Sequence, residues 1–129
     1  MKPKIKTFED ACKKLGIEPN LPVVENLPVK HQGATIAMYK LGVIAEALNE
    51  GWKPDYSDHN EWKYEPWWTV TSISKNGKTA SGLSFDGADR WRTGTYVGSR
   101  LCFKSRELCE YAAEHFLDLY EEALMLAAD

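Results

Sequence analysis

A chain of 129 residues with 43% hydrophobic and 27% charged residues carries enough apolar content for one self-sufficient core, which argues against an intrinsically disordered protein. No apolar run approaches the roughly 20 residues that cross a bilayer, so a membrane-spanning helix is excluded. A net charge of −3 and a pI near 5.6 oppose a surface built throughout for phosphate.

Residues 1–6 are basic, like the start of a signal peptide, yet Thr7-Phe8-Glu9-Asp10 stands where the apolar stretch should follow. The expectation is a cytoplasmic, single domain over 1–129, with 1–6 a solvated tail. Cys12, Cys102 and Cys109 are odd in number and lie in apolar company, which suits buried free thiols in a reducing compartment.

Thr7 is placed to cap a short helix with Phe8, Ala11, Cys12 and Leu15 on one face, and Gly16 ends it. Residues 18–28 read as an extended linker, because Pro19, Pro22 and Pro28 remove amide donors and push their predecessors out of the helical region. A second helix is predicted to start between His31 and Ala34 and to run to Glu50, on the spacing of Ala37, Leu41, Ile44 and Leu48, with Gly51 as its left-handed cap. Residues 53–66 keep neither period and predict a long irregular loop.

Residues 67–74 alternate as a strand, and Asn76-Gly77 supplies the pair a tight hairpin turn requires, so residues 79–85 should pair back. Asp86-Gly87 marks a second turn. A third strand within 95–103 would complete an antiparallel meander, weakened by Gly82, Gly94 and Gly98. One long C-terminal helix, capped by Ser105, follows the unbroken pattern Cys109, Ala112, Phe116, Leu119, Ala123, Leu126. A second stripe, Ala113, Leu117, Tyr120, Leu124 and Ala127, widens its apolar face. The helix therefore packs against both sheet and second helix, or pairs with a second copy as a homodimer; internal burial is the reading favoured.

The densest feature is aromatic: Trp52, Tyr56, Trp62, Tyr64, Trp67 and Trp68 fall within residues 52–68. Such rings either lock a loop onto the core or form a binding surface. Position suggests that Trp52, beside a helix cap, and Trp67, opening a strand, are structural. Trp62, between Glu61 and Lys63, is the candidate for exposure, with Tyr56 and Tyr64 beside it as candidate partner-binding residues.

Charge is unevenly laid out. Arg90, Arg92, Arg100, Lys104 and Arg106 occur without an acid between them, whereas residues 107–129 hold seven acids and no Lys or Arg. Glu107, Glu110, Glu114, Asp118 and Glu121 form a stripe that reads first as a solvated face. Lacking basic partners one turn away, Glu110, Glu114, Asp118 and Glu121 are also candidates for meeting a basic partner. Arg90, Trp91, Arg92, Tyr96 and Arg100 interleave rings and cations as a single-stranded nucleic-acid platform would, against the acidic global balance.

Catalytic signatures do not appear. His31, His59 and His115 sit in no metal-ligand spacing, and Asp55, Asp58, His59, Asn60 and Glu61 match turn chemistry rather than a calcium loop. No G-x-S-x-G, P-loop or dinucleotide motif is present. The expectation is no catalytic residue, no cofactor, no metal, and a non-enzymatic protein.

Two stretches carry a resemblance: Ala47-Leu48-Asn49-Glu50-Gly51-Trp52-Lys53-Pro54-Asp55 leading to Lys63-Tyr64-Glu65-Pro66-Trp67, and Gly98-Ser99-Arg100-Leu101-Cys102-Phe103-Lys104-Ser105. They are similar to a family of small proteins of unassigned activity from gut anaerobes of the Bacteroides group and their phages and prophages. In that family another aromatic often stands at the position of Glu65 and a Phe at that of Trp68. The resemblance implies a phage or mobile-element accessory protein and names no activity. The fold expected is α+β: two N-terminal helices, an aromatic loop, a meander of about three strands and a C-terminal helix on the sheet. The function expected is a protein-binding module, with single-stranded nucleic-acid binding as the alternative.

Overall fold

Thr7 opens the first helix as its sequence position suggests: in the computed structural model, which describes residues 4–75 and 78–126, its side chain accepts from the Asp10 amide at 3.0 Å. α1 spans Phe8–Leu15 and ends at Gly16, whose φ of 70° lets its own amide and that of Ile17 turn back onto Lys13 and Cys12. Its Phe8, Ala11 and Cys12 are buried. The preceding segment is not wholly solvated. Ile5 is buried, its carbonyl accepts from the Tyr111 hydroxyl, and the Lys6 carbonyl lies 3.1 Å from His115 Nε2.

α2 spans Val29–Asn49 and begins earlier than expected, directly after Pro28, with Gln32 Nε2 donating to the Leu27 carbonyl across the start. The left-handed cap falls on Glu50 at φ 50° rather than on Gly51, which follows at φ 87°. Ala37, Leu41, Ile44 and Leu48 are buried as the spacing implies, and α2 lies between α1 and the C-terminal helices. It is the longest described helix and is not apolar enough to cross a membrane.

The sheet has two strands among the described residues, β1 (Lys63–Lys75) and β2 (Lys78–Trp91), paired antiparallel. Both are longer than the sequence suggests. Asp86-Gly87 makes a bulge instead of a turn: Trp67 faces Gly87 and Trp68 faces Phe85, which leaves Asp86 as the extra residue, and Gly87 takes φ 139°. Lys75 pairs with Lys78, while the expected turn residues Asn76-Gly77 lie outside the described residues.

The expected third strand is reduced to one bridge, in which Tyr64 and Phe103 exchange backbone hydrogen bonds of 3.0 and 2.8 Å. Backbone groups alternate sides along a strand, so the next donor on that edge of β1 would be residue 66. Residue 66 is proline and has no N–H. The same placement spares the β1–β2 ladder, which bonds from the other side. Asn49, buried at the end of α2, holds the bridging segment by donating to the Cys102 carbonyl at 2.9 Å and accepting from the Lys104 amide at 3.0 Å.

The single C-terminal helix is also corrected. α3 (Arg106–His115) is capped by Ser105, whose Oγ accepts from the Leu108 amide at 3.2 Å, and the chain then breaks at Phe116 before α4 (Leu117–Leu124). α3 packs on both strands while α4 turns to pack along α2, which accounts for the two apolar stripes. Cys109, Ala112, Ala113, Phe116 and Tyr120 are buried; Leu119 is partly so. The architecture is thus α+β, with four helices and one two-stranded sheet among the described residues.

Candidate functional site

Lys63 organises the aromatic loop. Its side chain is fully buried, and Nζ lies 2.6, 3.0 and 2.8 Å from the carbonyls of Asp55, Glu61 and Arg92, with that of Asp58 at 3.2 Å. Glu61 Oε1 is 3.4 Å away and the Tyr56 ring centroid 5.1 Å. A buried ammonium without partners would be strongly unfavourable; here the loop folds around it and supplies carbonyl oxygens. Glu61 completes the lock by accepting from Trp52 Nε1 at 3.2 Å and from the Asp55 amide at 2.8 Å. Asp55 and Asp58 serve as turn-forming side chains, and the hydrogen bonds from Ser57 hold the Asp55 carboxyl below its ordinary range.

This arrangement redistributes the candidate residues. Trp62 is half-buried, with the Arg90 and Arg92 guanidinium groups 4.2 and 4.4 Å from its ring centroid. One cluster therefore joins the anchor expected for a protein partner to two arginines expected for nucleic acid. Tyr56 is half-buried, its hydroxyl 3.8 Å from Cys102 Sγ and pushed up to about 12 by burial. Tyr64 packs on the core beneath Arg106, and Arg100 is exposed. On the acidic helices Glu114 and Asp118 are exposed, Glu110 is half-buried, and Glu121 turns inward to accept from the Leu83 amide at 3.1 Å.

Trp67 and Trp68, adjacent at the bulge, go opposite ways. Trp68 joins the core against Tyr120 and Phe85, with centroids 5.0 and 5.7 Å away. Trp67 is 45% exposed, which corrects its expected structural role. It sits on the outer face of the hairpin, where alternation also places Glu65 of β1 and Asp89 and Trp91 of β2. Glu65 is buried and ties down the following loop, since its carboxylate accepts from the Thr95 hydroxyl and from the Tyr96 amide at 3.1 Å. Thr95 Oγ1 in turn accepts from the Val97 and Gly98 amides at 3.1 and 2.7 Å.

The result is a cleft of about 190 Å³ lined by Glu65, Trp67, Asp89, Trp91, Tyr96 and Val97. The Tyr96 ring lies 5.8 Å from Trp67 at 48° and 5.0 Å from Trp91 at 88°. Tyr96 is 72% exposed, so it forms the rim. Trp91 Nε1 is buried without a hydrogen-bond partner. Trp91 and Tyr96 are nucleic-acid candidates on the sequence alone, whereas Glu65 and Asp89 carry no motif that marks them as site residues. A signal existed in the two carboxylates, which fall at alternating positions with Trp67 and Trp91 along their strands.

The three cysteines are free and buried. Burial raises all three thiols, Cys109 to about 12. They should resist a thiol reagent at neutral pH in the native state and react on unfolding, which labelling with and without urea checks; rapid native labelling would contradict it. Because a raised folded-state pKa favours the neutral form, the contribution of Cys109 to stability is present below the unfolded pKa near 8.5 and declines as pH rises towards about 12.

No protein-family model, curated protein or solved structure matches this chain. The reading of the cleft therefore rests on its own chemistry. Among the described residues no group of three or more His, Cys, Asp or Glu side chains is arranged to hold a metal ion.

Proposed function

We propose that this protein is a non-enzymatic protein-binding module whose partner meets the aromatic cleft on the outer face of the hairpin. The observation that carries this reading is the pairing of an exposed Trp67 with an exposed Tyr96 on a backbone fixed by Glu65. Large rings left in water on a rigid support mark a recognition anchor, since they add contact area at little entropic cost. In the phage or mobile-element setting that the family resemblance implies, the partner is a host or phage protein.

Single-stranded nucleic-acid binding has weaker support. Arg90 lies on the strand face opposite Trp91 and Arg92 follows the end of β2, both engaged with Trp62, while Glu65 and Asp89 would repel phosphate at the cleft. An electrophoretic shift with short single strands that weakens as salt rises would favour it instead.

Selection from a random-peptide display library tests the leading reading. Wild-type protein is expected to enrich a consensus. The Trp67→Ala/Tyr96→Ala double variant should bind that consensus at least about 30-fold more weakly, as loss of an anchor worth about 2 kcal/mol requires. Equal binding by a folded double variant would remove the cleft from the function.

A further inference from the structure

We infer that the cleft accepts the ammonium head of a lysine side chain presented by the partner polypeptide, an inference that rests on the protein-binding reading above. Charge is the first argument. Glu65 and Asp89 stand directly opposite each other across the β1–β2 ladder, an arrangement of like charges that is unfavourable without a cation between or beside them. Glu65 has its hydroxyl and amide donors, but among the described residues no hydrogen bond or ion pair reaches the Asp89 carboxylate. Among the described residues no Lys or Arg lines the cleft, and Lys63, the next residue of β1 on this face, directs its ammonium to the carbonyls of Asp55, Glu61 and Arg92. An anionic ligand would be repelled, and a purely apolar one would cover Asp89 and leave its charge uncompensated.

Ring geometry supplies the second argument. Ring faces carry negative quadrupolar potential and attract cations. Tyr96 stands at 48° to Trp67 and 88° to Trp91, so the three rings form angled walls and no flat platform. A planar guanidinium is suited to stacking on a single ring, as Arg90 and Arg92 do on Trp62 in this same molecule. Angled walls instead fit a compact, near-spherical ammonium. Size agrees: about 190 Å³ is below the ~300–1,000 Å³ typical of small-molecule and cofactor pockets and suits one side-chain head. The exposed faces of Trp67 and Tyr96 would then cover the apolar lysine stem.

The test is an NMR titration that follows the indole N–H signals of Trp67 and Trp91 against a short Gly/Ser peptide with one central lysine. Parallel arms replace that lysine by norleucine or by arginine, and a further arm uses free choline. The lysine peptide is expected to give a saturable shift that weakens at least tenfold in Asp89→Asn, weakens with salt, and is lost in Trp67→Ala. Unchanged signals elsewhere would show that both variants keep the fold. No saturable shift, or equal binding of the norleucine peptide, overturns the inference. Tighter binding of the arginine peptide overturns the ammonium assignment, and tighter binding of choline overturns the polypeptide source. A display consensus that maps to Trp67 and Tyr96 but contains no lysine would sink this inference while leaving the protein-binding reading intact.

Discussion

Lys63→Met is expected to lower stability by about 3 kcal/mol, although methionine fills much of the same space and is more apolar. The reason lies in what the ammonium leaves behind. Four carbonyls, those of Asp55, Asp58, Glu61 and Arg92, converge on Nζ, and those of Asp55 and Asp58 also accept from the Asp58 and Glu61 amides at 3.1 and 3.4 Å. Three of them belong to the loop between α2 and β1, so removing the donor detaches the loop as well as the charge. Some carbonyls would recover water, which keeps the cost near the low end of the range for a broken buried charge site. With a urea dependence of about 1–3 kcal/mol per M, the unfolding midpoint should drop by roughly 1–3 M. Trp52 fluorescence should report loosening of the loop before global unfolding, because its indole is held through Glu61. A Lys63→Met midpoint equal to wild type would show that the loop is held by its rings alone.

The helix caps were legible because their chemistry is local. Thr7, Gly16 and Ser105 act within three or four residues of themselves, so a single stretch of sequence contains both partners. The burial of Lys63 and Glu65 was not legible in this way. A charged residue is buried only when distant groups satisfy it, and the partners of Glu65 come from Thr95 and Tyr96, thirty or more residues along the chain. The exchange of roles between Trp62 and Trp67 has the same origin. Trp62 looked exposed because Glu61 and Lys63 flank it, yet both neighbours turn inward to form the loop lock, and the ring is then covered by Arg90 and Arg92. Trp67 looked structural because it opens a strand, but alternation from the buried Glu65 puts it on the outer face. The missing strand was foreseeable in part, since Pro66 is visible in the sequence; which edge of β1 it faces is fixed only by the pairing with β2.

Phe116 carries the other large effect. The apolar spacing runs through it without interruption, so the sequence alone predicts one continuous helix. Instead Phe116 leaves helical geometry at φ −116° and ψ 29°, closing α3 through its amide to Ala112 and opening α4 through its carbonyl to Leu119 and Tyr120. Its ring remains buried at 6% exposure, within edge contact of Tyr111 and His115 at centroid distances of 6.4 and 5.1 Å. Phe116→Ala should therefore cost about 3–5 kcal/mol through lost burial and the cavity left at the junction of α3 and α4. That is a large fraction of the ~5–15 kcal/mol typical of a domain. Alanine also favours the helical conformation more than phenylalanine does, by about half a kcal/mol, which would partly offset the loss if the break were to straighten. Straightening would carry α4 away from α2 and pull Glu121 from the Leu83 amide. The two outcomes separate in the measurement: a lowered urea midpoint with unchanged amide protection at Leu83 indicates a cavity in an intact fold. A lowered midpoint with lost protection there indicates that the ring sets the break as well as filling the core. A variant that unfolds at the wild-type urea concentration would show that Phe116 contributes neither.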